Sequence, residues 1–173
     1  MTEFEPLEER LLSTGWTHGA REFTPWLAEN LGVLSKAIAL PLSLVDRERR
    51  IGRDSLDMLL EDDQGRRVIV EIETEVASSS QLGKLLSFCA CTEAKVVIWI
   101  AARFNDEHVV ALEWLNNNSL TDIGFFAVEV HLYQIGESPL ALHCRAIVRP
   151  NEWAKHVHSE SQAQRTWSGF GSH

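Results

Sequence analysis

The sequence lacks an excess of positive charge, paired cysteines, glycine-rich loops and long apolar runs, and each absence removes a class of function. Sixteen lysines and arginines stand against 25 aspartates and glutamates, giving a formal charge of -9 and a pI near 5.2. A surface that binds a polyanion all over is excluded, because neutralising phosphates needs Lys and Arg held against them. A local basic patch remains open: Arg47, Arg49, Arg50 and Arg53 cluster, and Arg66 and Arg67 follow shortly after. The plain alternative is a set of solvated arginines on an edge strand and a hairpin tip. Cys89, Cys91 and Cys144 are odd in number and show no CxxC spacing, so they indicate neither a disulfide framework nor a zinc site. They read as buried thiols in a reducing compartment. No HxH or HExxH pair falls within a predicted element, and His156 and His158 lie in a polar tail. Gly65 and Gly83 are isolated, so no phosphate-cradling loop is present. No apolar run approaches the roughly 18 residues of a membrane span, and Met1 to Arg10 is acidic without an apolar stretch. The expectation is a cytoplasmic protein with no membrane contact.

What is present suffices for one core. Apolar residues make up 45% of the 173 positions and include six tryptophans, which suits a single domain over 1–153, followed by a polar, aperiodic tail over 154–173 that is expected to be flexible. Thr24-Pro25 can start a helix carrying Trp26, Leu27, Leu31, Leu34 and Ile38 at helical spacing to about Ala39. The period then changes. Strands are predicted from Leu42 to Ile51, Ser55 to Glu61 and Arg67 to Thr74, the last two joined by a turn at Asp62-Asp-Gln-Gly65. Serines 78 to 80 can cap a helix to about Thr92, with Leu82, Leu85, Leu86 and Cys89 on its apolar face. The apolar run Lys95 to Ala101 reads as a central strand in a parallel crossover with the strand that carries Glu71. Asn105 can cap a third helix whose inner face holds Val110, Ala111, Trp114 and Leu115. Strands at Ile123 to Tyr133 and Ala141 to Val148 complete an α/β fold around one mixed sheet.

The candidate chemistry lies in two of these strands, Asp54-Ser-Leu-Asp57-Met-Leu-Leu and Val68-Ile-Val-Glu71-Ile-Glu73, which carry acids where neutral residues are expected. Moving an unpaired carboxylate out of water costs several kcal/mol, and metal coordination is one compensation. A hairpin places Asp57 across from the region of Glu71, while Glu71 and Glu73, two apart on a strand, share a face. Oxygen ligands favour hard cations such as Mg²⁺ or Mn²⁺. The plain alternative is an exposed acidic face paired with Arg66 or Arg67, which contributes little.

At these residues, over roughly Thr24 to Ala101, the chain resembles the PD-(D/E)XK nuclease superfamily. The matching places read Asp57-Met-Leu, Glu71-Ile-Glu73 and Gly83-Lys-Leu-Leu-Ser-Phe88. The resemblance implies a restriction-endonuclease-like core: a mixed central β-sheet flanked by helices in the order α-β-β-β-α-β, with an added C-terminal α-β-β. It further implies a metal-dependent nuclease that hydrolyses DNA phosphodiesters with Mg²⁺ or Mn²⁺. Asp57 and Glu71 would hold the metal, with Glu73 as third ligand or water-orienting base and Glu29 as an additional acid from the first helix. Glu73 stands where the superfamily carries a lysine, and Lys84 on the following helix is the expected substitute. DNA or RNA would be held through the local basic patch, and a homodimer or a partner protein subunit is the expected assembly. The alternative is a catalytically reduced member that keeps the fold as a nucleic-acid-binding or protein-assembly subunit. Adjacent strand residues point to opposite faces, so His143 and Cys144 do not form a nucleophile and base. Trp99, Trp114 and Trp153 are expected in the core; Trp16 and Trp26 are left open.

Overall fold

The computed structural model describes residues 1–119 and 122–151; the predicted tail, Trp153, His156 and His158 lie outside them. A seven-stranded mixed sheet forms the centre, in the order β1-β6-β5-β4-β3-β2, with β7 also paired to β6. Its strands are β1 (Leu7–Arg10), β2 (Leu42–Ile51), β3 (Asp54–Asp62), β4 (Arg67–Val76), β5 (Val96–Arg103), β6 (Gly124–Ile135) and β7 (Ala141–Val148). β4, β5 and β6 run parallel and the other pairings are antiparallel. The helices are α1 (Leu12–Gly15), α2 (Ala20–Glu29), α3 (Leu31–Ile38), α4 (Ser79–Thr92) and α5 (Asp106–Asn118). Helix–meander–helix–strand is the order the sequence predicts, and none of the described helices is long and apolar enough to cross a membrane.

Each face of the sheet has its own core. α2 and α3 bring Phe23, Leu27, Leu34 and Ile38 onto Met58, Val70, Ile72 and Ile98. On the other face α4 and α5 bring Leu85, Phe88 and Leu112 onto Ile69, Val97, Trp99 and Ala127. Burial on both sides explains the unbroken apolar runs of β4 and β5. The β3–β4 turn is held by Asp62, whose carboxylate accepts from the Gln64 and Arg66 amides, both at 2.9 Å, and from Arg66 Nε at 2.6 Å. Burial alone would push its carboxyl up, yet these bonds hold it below the ordinary range.

Several expectations are corrected. The first helix does not run unbroken from Thr24 to Ala39. It divides at Asn30, whose side chain caps the Trp26 carbonyl at 2.8 Å, and Thr24 is a buried residue inside α2 rather than its cap. α5 turns His108 and Leu112 inward, leaving Val110 and Trp114 exposed. Asn105 makes no side-chain cap there. Trp99 is fully buried as expected, and Trp16 and Trp26 join Phe23 in an aromatic cluster packed on the first core. All three cysteines are free, but Cys91 is exposed rather than buried.

α2 begins at Gly19, with φ 57° and ψ -129°, a conformation in which a side chain is strained. A Cβ there would meet Thr74 Oγ1 at 2.7 Å. Gly19→Ala should therefore cost on the order of 1–3 kcal/mol and lower the melting temperature by several degrees in a thermal denaturation scan.

Candidate functional site

The β3–β4 ladder is regular from Glu61↔Arg67 to Met58↔Val70. At the next step, where Asp57 would face Glu71, side chains take over. The Asp57 amide donates to Glu71 Oε1 at 2.9 Å, and the Ile72 amide donates to Asp57 Oδ2 at 2.8 Å. Each acid is thus fixed by the backbone of the opposite strand, which is why the sequence can place carboxylates in otherwise apolar strands. Gln81, from the first turn of α4, donates its amide to Glu71 Oε2. Ser78 sets the start of that helix, accepting from the Gln81 amide at 3.4 Å.

The electrostatics of the pair are strained by negative charge. Glu71 is almost wholly buried. Burial, followed by the charge of Asp57, pushes its carboxyl up to about 8, although the Asp57 amide, Gln81 and Lys84 all pull the other way. Asp57 is also raised, by burial first and then by Glu48, with the Ile72 amide and Lys84 opposing. Lys84 therefore acts on both acids. Its Nζ lies 3.6 Å from Asp54, which lines with Asp57 a cavity of about 380 Å³ that also receives Glu48, Arg50, Arg53 and Ser55.

The structure brings together three of the expected site residues, Asp57, Glu71 and Lys84, and places the other two elsewhere. The Glu73 carboxylate accepts from the Ser78 amide at 2.9 Å and from Ser78 Oγ at 2.7 Å. A negative group at a helix N-terminus is favourable, so Glu73 is held by α4. Glu29 is exposed at the end of α2, which packs on the Ile72 face of the sheet, opposite to Glu71, and no hydrogen bond or ion pair among the described residues joins it to either acid. Accordingly no set of three or more His, Cys, Asp or Glu residues converges as a metal cluster among the described residues. Nor do the arginines pair with Glu71 and Glu73: Arg66 binds Asp62 and Arg67 donates to the Thr92 carbonyl at 2.8 Å.

Two participants escaped sequence reasoning. Gln81 is one residue beyond the serine run and carried no signal except its place in the first turn of the helix. Glu48 reaches the cavity because β2 is irregular: its register shifts between Leu44 and Asp46, and Glu48 itself adopts φ 52°. Bulges of this kind re-aim side chains, and no pattern in the residues announces one here.

The donor set fits a hard cation in part. Asp57 and Glu71 supply two carboxylates whose proton affinity is raised, and cations compete with protons for such oxygens. Both acids come from a β-meander that is preceded by helices and followed by a helix and a parallel strand. Among solved structures the chain is similar to a repair endonuclease from Pyrococcus abyssi, at 17% identity and a TM-score of 0.48, over 54% of this chain and 42% of that one. It is similar to EndoMS in an EndoMS-dsDNA2 complex, at 21% identity and a TM-score of 0.48, over 63% and 44% of the two chains. It is also similar to Pyrococcus furiosus SfsA in complex with Ca²⁺, at 14% identity and a TM-score of 0.39, over 75% and 63%. The chain thus spans less than half the length of the first two. No protein-family model and no curated protein matches it.

Proposed function

We propose that this chain is a metal-dependent hydrolase of DNA phosphodiester bonds whose cation is held by Asp57 and Glu71. The observation that supports this reading is the interlocked acid pair itself, two carboxylates largely withdrawn from water, in which burial and then the charge of Asp57 raise Glu71 to about 8. A purely structural pair would be simpler as neutral residues, since buried charge is costly without a partner. A bound Mg²⁺ or Mn²⁺ would supply a Lewis acid and lower the pKa of its bound water. Lys84, already close enough to act on both acids, would set its positive charge toward the negative charge that develops on the phosphoryl oxygens. Gln81 orients Glu71, and Glu73 holds the start of the helix from which Gln81 and Lys84 project.

A second reading has its own support. Glu73 stands where a lysine would serve catalysis and is bound to Ser78, which suits a subunit that keeps the metal or the fold without turnover. Metal titration by calorimetry, combined with cleavage of plasmid and single-stranded DNA in Mg²⁺ or Mn²⁺, separates the two. On the first reading Asp57→Asn loses metal binding and cleaves at least about 100-fold more slowly, while Lys84→Ala keeps metal affinity and loses roughly 10- to 1000-fold in rate. Metal binding without cleavage by the native protein selects the second reading. Neither binding nor cleavage removes the metal-site assignment altogether.

A further inference from the structure

The β2–β3 hairpin carries charge that the fold does not use. Among the described residues, no hydrogen bond or ion pair engages the guanidinium groups of Arg47, Arg49, Arg50 or Arg53, whereas Arg66 is bound by Asp62 and Lys84 lies near Asp54. In a chain with 25 acidic and 16 basic residues, four neighbouring arginines without acidic partners are unexpected, because carboxylates outnumber cations and exposed arginines readily find them. Their placement is directional. Arg50 and Arg53 line the cavity that contains Asp57. Arg50 also lines a second cavity, of about 160 Å³, with Arg49, Arg67 and the end of α4 at Cys91 and Thr92. Arg67 gives one donor to the Thr92 carbonyl and has one weak acidic neighbour, Glu93 at 4.0 Å, which leaves its remaining donors for a ligand. Arg50 therefore joins two arginine-lined hollows into one path that leads from the acid pair toward the C-terminal end of α4.

We infer that Arg53, Arg50, Arg49 and Arg67 form a track for the phosphates of a nucleic-acid strand, with Arg50 and Arg53 positioning one phosphodiester at Asp57. Guanidinium groups suit this task because their planar forks donate two parallel hydrogen bonds to phosphate oxygens. Such contacts fix register without reading bases. The inference rests on the assignment of Asp57 and Glu71 as the reacting site, but only in its end point. The track itself is a binding surface that can be measured with the metal removed.

The test is fluorescence anisotropy with labelled single-stranded DNA, duplex DNA and single-stranded RNA in EDTA, each across 50 to 200 mM salt. The Arg50→Ala, Arg53→Ala double variant should bind its preferred polymer at least about tenfold more weakly at the lowest salt. Its log–log salt slope should shrink by about 1 to 2, since each neutralised phosphate contributes roughly 0.7 to 0.9. The Lys36→Ala, Arg149→Ala variant, altered in a separate cavity beside β7, should bind like the native protein. An unchanged slope in the hairpin variant, weakening confined to the Lys36 and Arg149 variant, or no binding of any of the three polymers would each overturn the track. The thermal shift on adding Mn²⁺, recorded on the same proteins after the EDTA has been removed, distinguishes failure of the track from failure of the acid site. A native protein that binds nucleic acid in EDTA but shows no Mn²⁺ shift keeps the track and loses the metal.

Discussion

Glu71→Gln will melt at a higher temperature than the native protein in the absence of metal, and the gap will widen as pH rises. Glu71 is held near 8 in the folded chain, whereas an unfolded glutamate titrates near 4.3. Between these values the folded state binds more protons than the unfolded one, so native stability is greatest below the lower value and falls as pH rises through the higher. Glutamine does not titrate. The two proteins should therefore melt alike near pH 4 and diverge through pH 8, with a plateau of roughly 10–20 °C, taking about 1.4 kcal/mol per pH unit and 2–4 °C per kcal/mol for a chain of this size. The side-chain oxygen still accepts from the Asp57 amide, and Gln81 can rotate its amide to meet the new one. Added Mn²⁺ should reverse the order at alkaline pH by stabilising only the native protein. Parallel melting curves at every pH would show that Glu71 does not carry a strained charge.

Trp99→Ala should produce the largest loss of stability. Trp99 is fully buried on the middle parallel strand, with its ring edge-on to Phe104 at 5.1 Å and to His108 at 5.4 Å. Emptying that volume costs on the order of 3–5 kcal/mol, or roughly 10 °C or more in melting temperature. Trp99→Phe should cost much less. The indole N–H has no acceptor in the core, so phenylalanine removes a donor that makes no hydrogen bond along with some volume. A second readout ties this residue to the site. Trp99 is the β5 neighbour of Glu71, so a cavity that admits water beside Glu71 would bring its carboxyl back toward the ordinary range and flatten the pH dependence described above. Calorimetric melts of both variants at pH 5 and pH 9 measure both effects.

The meander and the first crossover were legible because their signals are local. A short apolar segment marks β3, β-branched residues mark β4, Asp62 to Gly65 marks their turn, Ser78 marks the start of α4, and the run from Lys95 to Ala101 marks a strand covered on both sides. The proximity of Asp57 and Glu71 followed from the hairpin alone. What was not legible depends on tertiary choices. β1 pairs with β6 at the far end of the chain, and four residues with an exposed pattern cannot announce that partner. α5 turned away from the side its tryptophan suggested because His108 packs on Trp99 and reaches Ser79 Oγ at 3.1 Å, an interaction outside any hydropathy pattern. Glu73 likewise looked like part of the acid cluster until the helix that follows it supplied two donors.

The ten residues of β2 form the outer strand of the sheet, and most are exposed. A strand left open in this way is a template on which a second copy could add its own strand. Here the irregular register and the arginine side chains oppose that event, since two such edges brought together would set arginine against arginine. The features proposed to hold phosphate along this edge would thus also keep the sheet from extending into a second molecule, so that self-association would have to use another surface. Neutralising the arginines would remove both properties together, leaving a protein with a weaker hold on polyanions and a stickier edge.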